Sequence, residues 1–208
     1  MKISTVAKLT FFGLAYIFTI KLIDTIYHGI FSPAAAAGTV VGLNIMAGLV
    51  QLVFFIVLYQ QFVPEDKPAL RTASWLAIIG SGIGLLPKLL AIAVLFQPQP
   101  LFFFLRHHAQ ITAFCPWLTA LLLLAFSLTF FFDHGFRNDK PLKRAFGAGA
   151  AGWFIMAAAQ SLVIINYMTA GQLVLVADLF AAGPFVFVTV SSLTFLGLSI
   201  FYLAFAHR

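Results

Sequence analysis

Six long apolar runs, separated by short stretches rich in proline, glycine and charge, set the pattern of this chain. Crossing a hydrocarbon layer of about 30 Å takes about 20 helical residues at about 1.5 Å each. Six segments meet that length, near 9–31, 39–62, 71–96, 110–132, 145–168 and 178–205. Between them stand "FSPAAAAG", "VPEDKP", "QPQP", "DHGFRNDKP" and "TAGQ", whose residues terminate helices. The pattern predicts an all-α, polytopic integral membrane protein: one transmembrane domain over residues 1–208, built as a bundle of six helices.

Composition strengthens this reading. The chain is 62% hydrophobic and 9% charged, whereas soluble domains carry roughly a quarter charged residues. Its 25 phenylalanines suit helices that face lipid as well as one another. No connection on this reading exceeds about 15 residues, which leaves no room for a soluble catalytic or nucleotide-binding domain. The opening "MKISTVAKLTFFGLAYIFTI" has basic residues before an apolar run but no small-x-small cleavage site, so it reads as a retained first span. The single cysteine, Cys115, excludes an internal disulfide and every multi-cysteine metal motif.

The net charge of +6 reports topology rather than nucleic acid, because the basic residues form no block that could track phosphates. If the N-terminus is cytoplasmic, the inner side receives Lys2, Lys8, Lys67, Arg71, Arg137, Lys140, Lys143, Arg144 and Arg208, and the outer side only Arg106. Nine against one places both termini in the cytoplasm. A bacterial inner membrane is the expected location.

Lys21 and Lys88 are the two basic residues left inside spans. On a helical wheel Asp24 falls about 60° and His28 about 20° from Lys21, with Thr25 at the edge, so the three share one stripe. A lone charge at mid-membrane costs on the order of 3 kcal/mol, so that stripe should face protein. Matching stripes are Asn44, Gly48 and Gln51 in the second span and Ala77, Ser81, Gly84 and Lys88 in the third. The fourth aligns His108, Thr112, Cys115 and Thr119, and the sixth Asp178, Thr189 and Ser192. Lys21, Asp24, His28, Asn44, Lys88, His108 and Asp178 are the expected ligand- or ion-binding residues, around one pocket open to the outer face. The alternative for the same residues is structural: Lys21 and Asp24 neutralise each other, and Lys88 snorkels to the interface. Pro87 removes a backbone hydrogen bond in the third span and predicts a bent or broken helix there. The small-residue runs 38–42, 80–84 and 147–152 predict close helix packing.

Most chemistries are excluded. Metalloprotease geometry needs HExxH, and the one glutamate, Glu65, lies in a loop. An intramembrane serine protease built on Ser81 would need a histidine from a later span, and His207 stands at the opposite end. We therefore read the chain as non-enzymatic and without a cofactor. It is expected to sit in the lipid bilayer as a subunit of a larger membrane assembly, self-associated or with other subunits, or as a small transport or binding module; nucleic acid is not a partner. Two alternatives stand beside this. Haem ligation, or a copper or zinc site, could draw on His28, His107 and His108, giving a haem- or quinol-linked electron-transfer subunit. A proton- or ion-coupled carrier would use Asp24.

Overall fold

A computed structural model describes residues 2–26, 34–96, 102–133, 135, 139–169 and 183–207. Six helices are described: α1 (Ile3–Ile26), α2 (Ala34–Phe62), α3 (Pro68–Phe96), α4 (Phe102–Phe132), α5 (Lys140–Met168) and α6 (Gly183–Ala206). All six contain a segment long and apolar enough to span a membrane. Helix is the expected state for such segments, because in hydrocarbon a spanning chain must satisfy its backbone N–H and C=O groups internally. Several side-chain hydroxyls follow the same rule, whereas those of Ser74, Ser81, Ser127 and Ser199 are buried without a hydrogen-bond partner among the described residues. Thr10, Thr19, Thr129, Ser161 and Thr169 each donate to the carbonyl four residues back, at 2.8–2.9 Å.

The helices overrun the apolar spans. α1 begins at Ile3 rather than near residue 9, because Ile3, Val6 and Ala7 are buried in the core and Thr5 and Val6 both donate to the Lys2 carbonyl. α5 begins at Lys140 rather than 145. Asp139 is its N-cap, with the carboxylate accepting the Leu142 amide at 3.1 Å. α4 begins at Phe102 rather than 110, which brings Arg106, His107 and His108 into the helix. A helix continues through charged residues wherever a cap or a turn of hydrogen bonds supports it, so hydropathy understates its length. α3 is continuous through Pro87, and α4 through Pro116. Of the bent or broken helix expected at Pro87, the break does not occur. At 29 residues α2 and α3 are each about 43 Å long, enough to tilt or reach into the headgroup layer on either side.

Each helix packs against its neighbours in sequence, and α1 closes the ring against α6. This up-and-down order puts the start of α1, the α2–α3 and α4–α5 connections and the end of α6 at one end of the bundle, called here the terminal end. An ion pair joins the two connections, Lys67 Nζ to Asp133 Oδ1 at 2.7 Å, and the same oxygen accepts the Gly135 amide. Both partners are partly exposed, so the pair registers the loops more than it stabilises them.

The core sits at this end. Residues from all six helices form one cluster, and its centre is aromatic: Phe54 and Phe55 of α2, Phe126 and Phe130 of α4, Phe146 of α5, and Phe201, Tyr202 and Phe205 of α6. Their rings meet mostly edge to face, as in Phe54–Phe205 (5.5 Å, 78°) and Phe55–Phe126 (5.2 Å, 81°), with Phe130 stacked on Phe146 at 4.7 Å. Such pairs contribute about 0.5–1.5 kcal/mol each beyond the area they bury. Large apolar side chains such as Phe12, Trp75, Phe154 and Leu196 are exposed around the outside, the face a membrane would cover.

Glycine sets the spacing of the ring. A Cβ on Gly13 would stand 3.1 Å from Ala47, one on Gly80 3.0 Å from Leu122, and one on Gly147 3.1 Å from Phe131. At the α5–α6 crossing the contact is backbone to backbone: a Cβ on Gly197 would come within 2.7 Å of the Ala148 carbonyl oxygen and 3.1 Å of Gly152 Cα. Not every glycine in the small-residue runs serves this purpose, since Gly42 and Gly82 face open space. Gly197→Ala is therefore expected to push α5 from α6 and to cost about 1–3 kcal/mol. Gly42→Ala should be neutral or stabilising by up to about 1 kcal/mol. Thermal melting of the two variants in one detergent checks both signs.

Candidate functional site

Above the aromatic core, at mid-height in the bundle, the helices border a partly open cavity of about 40 Å³. That volume holds about three waters, at the roughly 10–15 Å³ each requires by this measure. Five of the six helices line it: Thr10, Leu14 and Ile17 of α1, Ala47, Gly48 and Gln51 of α2, Lys88 of α3, Trp153 of α5, and Leu198 and Tyr202 of α6.

Each polar group reaches the cavity for a local reason. Lys88 lies six residues beyond the midpoint of α3, and a helical side chain leans toward its own N-terminus, which here is back toward mid-bundle. Gly48 receives it: a Cβ there would stand 3.1 Å from Lys88 Nζ and 2.5 Å from Leu85 Cδ2. The ammonium therefore lies inside the bundle instead of snorkelling to the interface. Thr10 spends its proton on the Val6 carbonyl at 2.8 Å and can offer the cavity a lone pair.

Trp153 and Tyr202 are 3% and 1% exposed, and neither the indole Nε1 nor the phenol oxygen has a hydrogen-bond partner among the described residues. Trp117, also near the middle of its helix, is handled differently, for its Nε1 donates to Ser161 Oγ at 2.9 Å across the α4–α5 contact. Tyr202 belongs to two structures at once. It is among the residues that line the cavity, and its ring packs on Phe54 at 5.0 Å and Phe201 at 5.1 Å in the aromatic core.

The expected site residues divide into three groups. Lys88 lines the cavity together with Gly48 and Gln51 of the second-span stripe. Asn44, one turn from Gly48, is half-buried and is not among the lining residues. Lys21 and Asp24 stand on α1, Lys21 one turn beyond Ile17, and His107 and His108 stand on α4; their side chains lie outside those described. His28 and Asp178 lie outside the described residues altogether. Among the described residues no group of three histidine, cysteine or acidic side chains could hold a metal ion.

Other stripe residues are structural. The Thr119 hydroxyl lies 2.9 Å from the Gly80 carbonyl of α3 and 2.8 Å from the Cys115 carbonyl, tying α3 to α4. Ser81 is buried within α3, not on a loop.

Thr10, Trp153 and Tyr202 were not anticipated. A signal existed for the two aromatics: tryptophan and tyrosine in membrane proteins favour the interfaces, whereas Trp153 stands at the midpoint of α5, where its N–H needs a partner.

Comparison with known protein families, with curated proteins and with solved structures gives no match.

With no partner in the protein, the Tyr202 hydroxyl adds no stability to the ligand-free fold. Tyr202→Phe should leave the melting temperature in detergent unchanged or raise it. A loss of more than about 1 kcal/mol, the value of a typical internal hydrogen bond, would show that the hydroxyl is bonded after all.

Proposed function

We propose that this protein is a multi-pass cell-membrane protein without catalytic activity that holds a small polar solute at mid-bundle, as a transport or binding module. The observation that carries this reading is the mid-bundle cavity itself, which brings Lys88, Gln51 and Thr10 from three helices to one space inside an otherwise apolar bundle. Polar groups within a membrane span are costly and gather around binding or transport paths.

Access is from the end opposite the termini. The terminal side of the cavity is closed by Tyr202 and the fully buried rings behind it. Lys2, Lys67, Arg71, Lys140, Lys143 and Arg144 collect at the terminal end, which supports a cytoplasmic placement of that end with the accessible face outward. A bacterial inner membrane fits this arrangement. The cavity's size favours a solute of a few atoms over a porphyrin or a quinone ring, so the electron-transfer alternative gains nothing from it.

Water access decides the matter without knowledge of the solute. In a Cys115→Ala background, Ile17→Cys should react with a membrane-impermeant thiol reagent applied to the face opposite the termini. Ala73→Cys, in the core cluster, should stay unlabelled. An inert position 17 in protein that has inserted and folded would mean that no aqueous path reaches the cavity, and this reading would fail.

A further inference from the structure

The cations at the terminal end are unevenly engaged. Lys67 is paired with Asp133, Arg71 donates to the Tyr59 hydroxyl, and Lys143 sits over the Phe131 ring. Lys2 and Lys8 of α1 and Lys140 and Arg144 of α5 are exposed, and their side chains make no hydrogen bond or ion pair among the described residues. These four stand on the two helices that flank α6. Asp139, the acid beside them, caps α5 through the Leu142 amide, whereas Glu65 and Asp66 belong to the α2–α3 connection.

Helix electrostatics do not account for this placement. α1 and α5 both start at the terminal end, where the macrodipole is already positive and a cation is disfavoured, and neither has an acidic residue in its first turn. The positive-inside bias explains the end of the bundle but not the side, because it depends on charges in connections and not on where around a ring they fall. On α5 Lys140 and Arg144 lead an exposed face that continues through Ala151, Phe154 and Ala158. On α1 Lys8 precedes the exposed Phe12 and Tyr16, and between the two helices α6 exposes Leu196, Ile200 and Leu203. Each set repeats at helical spacing and so holds to one side of its helix. Side chains on α1 and α5 lean toward their own N-termini, which brings these cations up over the apolar surface.

We infer that the α5–α6–α1 side of the terminal end binds an anionic phospholipid, its phosphate between the Lys140–Arg144 and Lys2–Lys8 pairs and its acyl chains along the exposed face of α6. Charge and polarity match at both depths. An acidic headgroup meets unpaired cations whose stems snorkel to the headgroup layer, and hydrocarbon meets leucine and isoleucine below it. Neighbouring helix axes stand about 8–10 Å apart, so α1 and α5 flank a single headgroup position over α6. The inference rests on the membrane placement of the chain and not on the mid-bundle cavity.

The test uses the full chain in detergent at physiological ionic strength, where distant charges are screened. Phosphatidylglycerol and phosphatidylcholine are titrated separately, with bound lipid counted by native mass spectrometry and the melting temperature followed in parallel. Phosphatidylglycerol should bind saturably and raise the melting temperature; phosphatidylcholine, which has no net charge, should do neither. Arg144→Gln should weaken binding about fivefold, the worth of one cation near an anionic surface. Arg71→Gln removes the same charge from a side chain already engaged and should leave the affinity unchanged. Lys8→Gln reads the other pair should Arg144→Gln fail to fold.

Equal binding of the two lipids, or no saturable response to phosphatidylglycerol, would overturn the assignment. So would equal losses in Arg144→Gln and Arg71→Gln, which would report net charge alone. Displacement of the lipid by free glycerol phosphate at matched concentration would make this a site for soluble phosphate instead. Thiol labelling at position 17 does not depend on lipid charge. A protein that labels there but treats the two lipids alike loses this inference alone, and one that separates the lipids without labelling loses only the cavity reading.

Discussion

Close approach of helix backbones is the constraint on which this structure depends. In lipid no water is released when two apolar helices meet, so association rests on packing and on hydrogen bonds between helices. Both demand short distances. Here a glycine supplies them at each sequential contact of the ring: Gly13 against α2, Gly48 against α3, Gly80 and Gly84 against α4, Gly147 against α4 from α5, and Gly149, Gly152 and Gly197 between α5 and α6. Thr119 and Trp117 add hydrogen bonds where the backbones are near enough to be reached.

A ring of six helices has an axis that must be filled, and the two halves of this bundle solve the problem differently. At the terminal end, phenylalanines from four helices interlock in edge-to-face pairs and leave no exposed surface. Farther along, the fill changes from rings to a lysine, a glutamine and a threonine around a small space. Tyr202 belongs to both halves, lining the small space while its ring packs on Phe54 and Phe201 in the aromatic core.

The helix ends show how connections are made in a chain of so few charges. Asp139 caps α5, Lys67 and Asp133 link two loops, and Arg71 donates to the Tyr59 hydroxyl at 3.3 Å. Lys143 lies 5.2 Å above the Phe131 ring. Most of the described charges thus work at the terminal end, where water and headgroups are available, while Lys88 is turned into the bundle.

Length and hydropathy alone determined the number of helices, their order and the end at which basic residues gather, because a span is dictated by the thickness of hydrocarbon and by backbone hydrogen bonds internal to the helix. Those are local quantities. Wheel arithmetic also placed Gly48, Gln51 and Lys88 on inward stripes, since a charged or small residue in an apolar helix has one tolerable direction. Which stripes meet at one height was left to tertiary packing: Asn44 is not among the residues lining the cavity that Gln51 helps to form, and Trp153 and Tyr202 do line it although they read as ordinary apolar residues. Height and rotation of one helix against another are set by contacts between residues far apart in the chain, such as Gly197 on Gly152 and Leu85 on Gly48, and no periodicity within a single helix encodes them.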